Sequence, residues 1–156
     1  MRRNSAKLSA RHQTWLYATT TLLYLTGGVW AGLHYLGNHA DEFAPRSPAE
    51  PWLMRLHGAG AMALLVVLGT LLPTHVRFAW HARRNRPNGI ALLAFYAFLI
   101  ASGYGLYYFG NEWLRSWTSW LHLAIGIALP AMIVLHIWTG RRSAVQPVRR
   151  GPDAGD

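Results

Sequence analysis

Ser116–Gly140 reads SWTSWLHLAIGIALPAMIVLHIWTG, 25 residues without an Asp, Glu, Lys or Arg. Three other runs share that property, at 12–40, 56–76 and 87–111, and each has at least 21 residues. About 20 helical residues cross the hydrocarbon core of a bilayer. A soluble bundle of buried helices rarely carries four such runs. The pattern predicts an all-α fold: an integral membrane four-helix bundle built from two tandem helical hairpins. Its spans are expected near 13–36, 53–78, 88–109 and 116–139.

Around these runs the 156 residues divide into a cytoplasmic basic tail at 1–11, a transmembrane domain at 12–140 and a cytoplasmic polar tail at 141–156. Charged residues are only 13% of the chain. The net charge of +9 is segregated. Twelve of the fifteen basic residues lie in the N-terminal tail, the middle loop (Arg77, Arg83, Arg84, Arg86) and the C-terminal tail. These segments share one side of a four-span protein, so the positive-inside rule places both termini in the cytoplasm. The basic charge is therefore read as a topology signal with some attraction to anionic lipid, and no nucleic-acid partner is expected. All eight tryptophans fall near span ends, as an interfacial aromatic belt requires. The length of the first apolar run argues for a retained span rather than a cleaved signal sequence.

Cysteine is absent. This excludes disulfides, iron–sulfur ligation, zinc–thiolate sites, thiol catalysis and covalent c-type haem attachment. Redox chemistry would need a non-covalent cofactor with other ligands.

An internal echo supports the tandem arrangement. Gly32-Leu33-His34-Tyr35-Leu36-Gly37-Asn38 returns as Gly105-Leu106-Tyr107-Tyr108-Phe109-Gly110-Asn111, with five of seven positions identical. Each copy is followed by a loop and an apolar run with two histidines, His57 and His75 or His122 and His136. The outer loop at 37–52 contains Pro45, Pro48 and Pro51, which disfavour regular structure. Both hairpins run out and back, so an axis along the membrane normal can relate them.

Histidine within a membrane span is costly unless partnered, which makes it a functional signal. The bland reading is a structural ring bonded to a neighbouring helix. Four histidines at matching depths on two related helices make that reading insufficient. His122 and His136 are 14 residues apart, and His57 and His75 are 18 apart. At about 100° per residue each pair lies on one helix face, rising roughly 21 Å and 27 Å. Two metal centres, one per leaflet, fit these separations. The extra turn leaves a mismatch of ~6 Å, and Pro73 marks where a kink or π-bulge would absorb part of it. Paired neutral imidazoles suit haem iron, leave no open coordination position and favour electron transfer. Gly27, Gly28, Gly58, Gly60, Gly103, Gly105 and Gly126 would admit a flat macrocycle, or serve ordinary helix packing. Arg55 and Arg115 outside, with Arg77 and Arg141 inside, would pair with propionates, although topology alone also puts arginines there.

Trp120-Leu121-His122-Leu123-Ala124-Ile125-Gly126 through Leu135-His136-Ile137-Trp138 resembles the last haem-binding helix of bacterial di-haem membrane cytochrome b subunits. These include the membrane anchors of formate dehydrogenase and nickel–iron hydrogenase. Leu56-His57-Gly58-Ala59-Gly60 is similar to their second helix, and Thr26-Gly27 to a motif in their first. The resemblance implies two non-covalent, bis-histidine b haems, and electron exchange between quinone and a redox partner subunit, soluble cytochrome or dehydrogenase. It also implies that the inner haem's second ligand lies at the start of the first helix, which points to His12. The repeat nominates His75 instead, and the echo gives His12 no counterpart. Both stay open at this stage, with His75 favoured.

The expected function is that of an electron-transfer subunit of a membrane oxidoreductase complex. Its cofactor-binding residues would be His57 with His122 outside and His136 with His75 or His12 inside. No catalytic residue is nominated. A transporter or channel using the histidines as metal ligands or proton relay is the competing class, although the spans lack the Asp and Glu such pathways often use. A scaffold with structural histidines is the third. His34 and His39 are candidates for proton handling or quinone contact at the outer face, and His81 is expected in a solvent-facing loop.

Overall fold

In lipid the backbone must satisfy its own hydrogen bonds, and a chain with long uncharged runs does so as helix. The computed structural model describes residues 9–37, 47–81 and 85–145. Residues 1–8, His39, Asp41, Glu42, Pro45, Arg83, Arg84 and the tail from 146 onward, which figure in the sequence reading, lie outside the described residues. The elements are α1 (Ala10–Leu36), α2 (Ala49–Leu71), a π-helical segment (Leu72–Val76), α3 (Arg77–His81), α4 (Arg86–Tyr108) and α5 (Glu112–Val145). The helical backbone continues from α2 through the π segment into α3, so four rods result. Among the described residues there is no strand.

Ser9 caps α1 by accepting from the His12 N–H at 3.4 Å. Asn85 caps α4 from the left-handed region, at φ 48°, with Pro87 in the first turn. Pro73 explains the π segment. It has no N–H to offer the Gly69 carbonyl, and the local register widens until the Arg77 N–H reaches Leu72 O. This is the distortion anticipated between His57 and His75.

Three rods, at Ala49–Val76, Arg86–Tyr108 and Glu112–Arg142, are long and apolar enough to cross a membrane. α1 has 27 residues, enough length, but its threonines, tyrosines and glycines make it less apolar. The outside of the bundle is oily. Val66, Ile127 and Val134 are more than half exposed, whereas Thr19, Thr20, Thr26 and Ser102 are buried. That inversion is characteristic of helices that pack in lipid through small and polar contacts.

α1 packs along α2 and α4 along α5, giving the two hairpins; α1 also touches α5. Leu64, Tyr96 and Leu129 form the core, with Leu16, Leu23, Leu68, Leu92, Phe95, Leu99 and Ile133 against them. Most are repeat partners. Leu16 and Leu92 are 76 positions apart, as are Leu23 and Leu99; Leu64 and Leu129 are 65 apart, as are Leu68 and Ile133. Thr20 and Tyr96, also 76 apart, hydrogen-bond to each other at 3.4 Å. Equivalent residues that touch lie on the axis relating the two halves.

The echoed heptads are 73 positions apart, so they sit one turn out of step with this packing. Both helices end inside their copies, α1 at Leu36 and α4 one echo position earlier at Tyr108, where the Phe109 N–H bonds back to Gly105 O. The Phe109 ring fills the space a side chain at Gly105 would need. Gly105 therefore serves the end of the helix.

Candidate functional site

His57 lies in the third turn of α2 and His122 in the third turn of α5, at the same end of the bundle. They are 65 positions apart, in the register of the core. Their ring centroids are 6.2 Å apart with planes at 68°. Each ring is held from behind by the first helix of its own hairpin. Thr26 Oγ1 is 3.1 Å from His57 Nδ1, and Ser102 Oγ is 2.8 Å from His122 Nδ1. The next residue along each helix is a glycine lying under the ring. A Cβ on Gly27 would stand 3.1 Å from His57 Cε1, and one on Gly103 would stand 3.6 Å from His122 Cε1. Thr26-Gly27 and Ser102-Gly103 are 76 positions apart, so this support is itself repeated.

The Thr26-Gly27 motif was visible in the sequence, but its partner was not. The echo aligns Thr26 with Leu99, one turn from Ser102. Aligning the two helices on the core leucines would have found Ser102.

The opposite end of the bundle, the inner one in the expected topology, is built differently. Asn85 Nδ2 donates to the His136 carbonyl at 3.2 Å and to Thr139 Oγ1 at 2.9 Å. Asn88 Nδ2 donates to the same Thr139 oxygen at 2.9 Å. These bonds tie the start of α4 to the end of α5. A Cβ on Gly89 would lie 3.7 Å from His136 Cε1. His136 Nδ1 is buried and makes no hydrogen bond to the described residues. His75 lies in the π segment that follows α2. In the core register Leu71 corresponds to His136, and His75 falls one turn beyond it.

The ring of His12 is held by its own cap, with Ser9 Oγ 2.7 Å from His12 Nδ1. The register of 76 gives His12 the counterpart that the echo denied it. That counterpart is Asn88, an inner-end residue.

Other candidates take ordinary places. A Cβ on Gly60 would press on Leu22 and Leu23 at 3.3 Å, which marks Gly60 as a helix-packing glycine. Gly28 faces open space. Arg55 lies over Trp52 at 4.6 Å and Arg142 over Trp138 at 3.5 Å, the cation–π arrangement of an interfacial belt. His34 Nδ1 pairs with Glu50 Oε2 at 3.3 Å, and the ring stacks on Trp30 at 4.5 Å. Glu50 is 7% exposed, and this pair joins α1 to α2 next to the outer loop. His81 Nδ1 donates to Arg77 O at 2.7 Å at an exposed position.

Metal–nitrogen bonds of about 2 Å, with about 1 Å more from nitrogen to ring centre, put two imidazoles opposed across one ion about 6 Å apart. The outer pair has that spacing. Among the described residues no group of three or more His, Cys, Asp or Glu is placed to hold a metal ion. An ion between two imidazoles would thus take its remaining ligands from elsewhere, as iron does from a macrocycle. No protein-family model, curated protein or solved structure matches the chain.

Proposed function

We propose that the chain is a membrane-bound di-haem b-type cytochrome that carries electrons across a bilayer between the quinone pool and a redox partner. The observation that carries this reading is the His57–His122 pair: two imidazoles on repeat-equivalent helices, 6.2 Å apart, each with a glycine beneath it. The orphaned, buried Nδ1 of His136 is a second polar site that calls for a partner.

His57 and His122 would hold the outer haem, and His136 with His75 the inner one; His12 is the alternative inner ligand. A b haem with two imidazole ligands is closed to oxygen, and the chemistry it supplies is one-electron transfer. The residues of the chain orient the rings, keep water out with an apolar shell and set the distance between the centres. Moving one charge across the full membrane is worth ~2.3 kcal/mol per 100 mV, so the partner's potential decides the direction of flow. The resemblance to the cytochrome b subunits of formate dehydrogenase and hydrogenase supports quinone and a partner subunit as the two ends of the path. The distribution of basic residues supports four spans with both termini in the cytoplasm, and the resemblance supports a bacterial inner membrane as their setting.

The test is a visible spectrum of the purified full chain, oxidised and then reduced with dithionite, with extracted haem quantified. Two b haems per chain is the expected result. A folded, colourless protein from haem-replete cells would overturn the reading, and binding of bare metal ions by that protein would favour transport.

A further inference from the structure

Thr26 and Ser102 each carry one hydroxyl proton, and the geometry shows where it goes. Thr26 Oγ1 is 2.7 Å from the Leu22 carbonyl, and Ser102 Oγ is 2.7 Å from the Phe98 carbonyl. A carbonyl only accepts, so each hydroxyl donates into its own helix. Back-bonding of this kind is common in membrane helices and by itself has no functional meaning. Here, however, each oxygen makes a second contact that leaves the helix. Its remaining lone pairs face His57 Nδ1 at 3.1 Å and His122 Nδ1 at 2.8 Å. A hydroxyl that keeps its proton on its own helix carbonyl accepts from the imidazole, and both bonds are assigned in that direction. Both rings therefore carry their proton on Nδ1 and leave Nε2 as a bare lone pair.

We propose that Thr26 and Ser102 are the positioning residues of the outer site. They are a repeated pair of hydroxyls that fix the tautomer and rotation of His57 and His122, so that both Nε2 lone pairs are presented to one shared metal centre. The identity of that centre rests on the haem reading above; the tautomer does not. At the 6.2 Å spacing of the rings, two such lone pairs suit one Lewis acid held between them. A hydroxyl accepting from Nδ1–H also raises the basicity of the ligating nitrogen. That stabilises the oxidised form of the centre and lowers its midpoint potential. On the α5 side of the inner pair, no hydroxyl of the described residues bonds to His136 Nδ1.

The test uses the full chain in lipid nanodiscs with 15N-labelled histidine at neutral pH, first without haem and then loaded. Without haem, His57 and His122 are expected to give the nitrogen shifts of the Nδ1–H tautomer. Thr26→Val and Ser102→Ala should each release its own histidine to the mixed tautomers of a free imidazole, while Thr26→Ser and Ser102→Thr keep the wild-type shifts. After loading, Thr26→Val and Ser102→Ala should each weaken the outer haem about 10- to 100-fold and move its midpoint potential upward, and the conservative variants should restore both. Helical circular dichroism should be unchanged in all four, because the substituted side chains leave every backbone bond in place. Protons on Nε2 in the wild type would overturn the proposal. So would a Thr26→Val/Ser102→Ala double variant with wild-type tautomers, affinity and potential. A protein that shows the Nδ1–H tautomers yet takes up no haem would overturn the haem reading and leave the tautomer assignment standing.

Discussion

The His57–His122 pair at one end of the bundle and the His75–His136 pair at the other are carried by the same two rods but built by different rules. The outer histidines are repeat partners, and they meet on the same axis as Thr20 with Tyr96 and Leu64 with Leu129. Whatever supports one supports the other, so a hydroxyl and a glycine stand behind each ring. The inner histidines are not partners. The position equivalent to His136 is Leu71, and His75 comes one turn later, inside a stretch that Pro73 has pushed into π geometry. No hydroxyl meets His136 Nδ1 there, and the contacts to that end go to its carbonyl instead. Symmetry gives the two rings at one end matching supports, and the π segment breaks that match at the other.

The comparison can be broken most directly at the ligands. His57→Ala and His122→Ala should each remove the same single haem, leaving one per chain by extraction. His75→Ala should remove the other, with His12→Ala keeping two. If His12→Ala loses the inner haem and His75→Ala does not, the inner site belongs to the register that pairs His12 with Asn88. At the level of support, Gly27→Leu should drive a side chain into the His57 ring and cost at least about tenfold in outer-haem affinity. Gly28→Leu, which faces open space, should leave haem titration curves unchanged. Pro73→Ala restores the N–H that Gly69 lacks and should return the segment to α geometry. It should shift only the inner haem's affinity and spectrum, by less than Gly27→Leu shifts the outer. The smallest effect belongs to the axis itself. Tyr96→Phe removes the bond to Thr20 and should cost roughly 0.6 kcal/mol in unfolding measured in mixed micelles, with both haems retained.

Much of the fold was legible because the relevant signals are local. Uncharged runs give spans, Pro73 gives the π segment, and the His57 and His122 positions give a pair. The echo gave the tandem order but the wrong register. Its glycines and aromatics report where a helix ends, and α1 runs one turn further past its site than α4 does. Ser102 went unseen for that reason. A serine on an apolar helix looks like helix-packing polarity until the ring it bonds is placed beside it.

The sequence by itself determined that the chain is helical, that its helices are apolar enough for a bilayer, and that its histidines lie in pairs on single helix faces. Periodicity and composition are properties of a single segment, and they survive without knowledge of what the segment packs against. Only the tertiary structure decided which histidines are true repeat partners, which hydroxyls stand behind them and which glycines lie under a ring. Those facts depend on the relative register of two helices. A shift of three residues moves a side chain along the helix by about one turn, which is the difference between Leu99 and Ser102 behind His122.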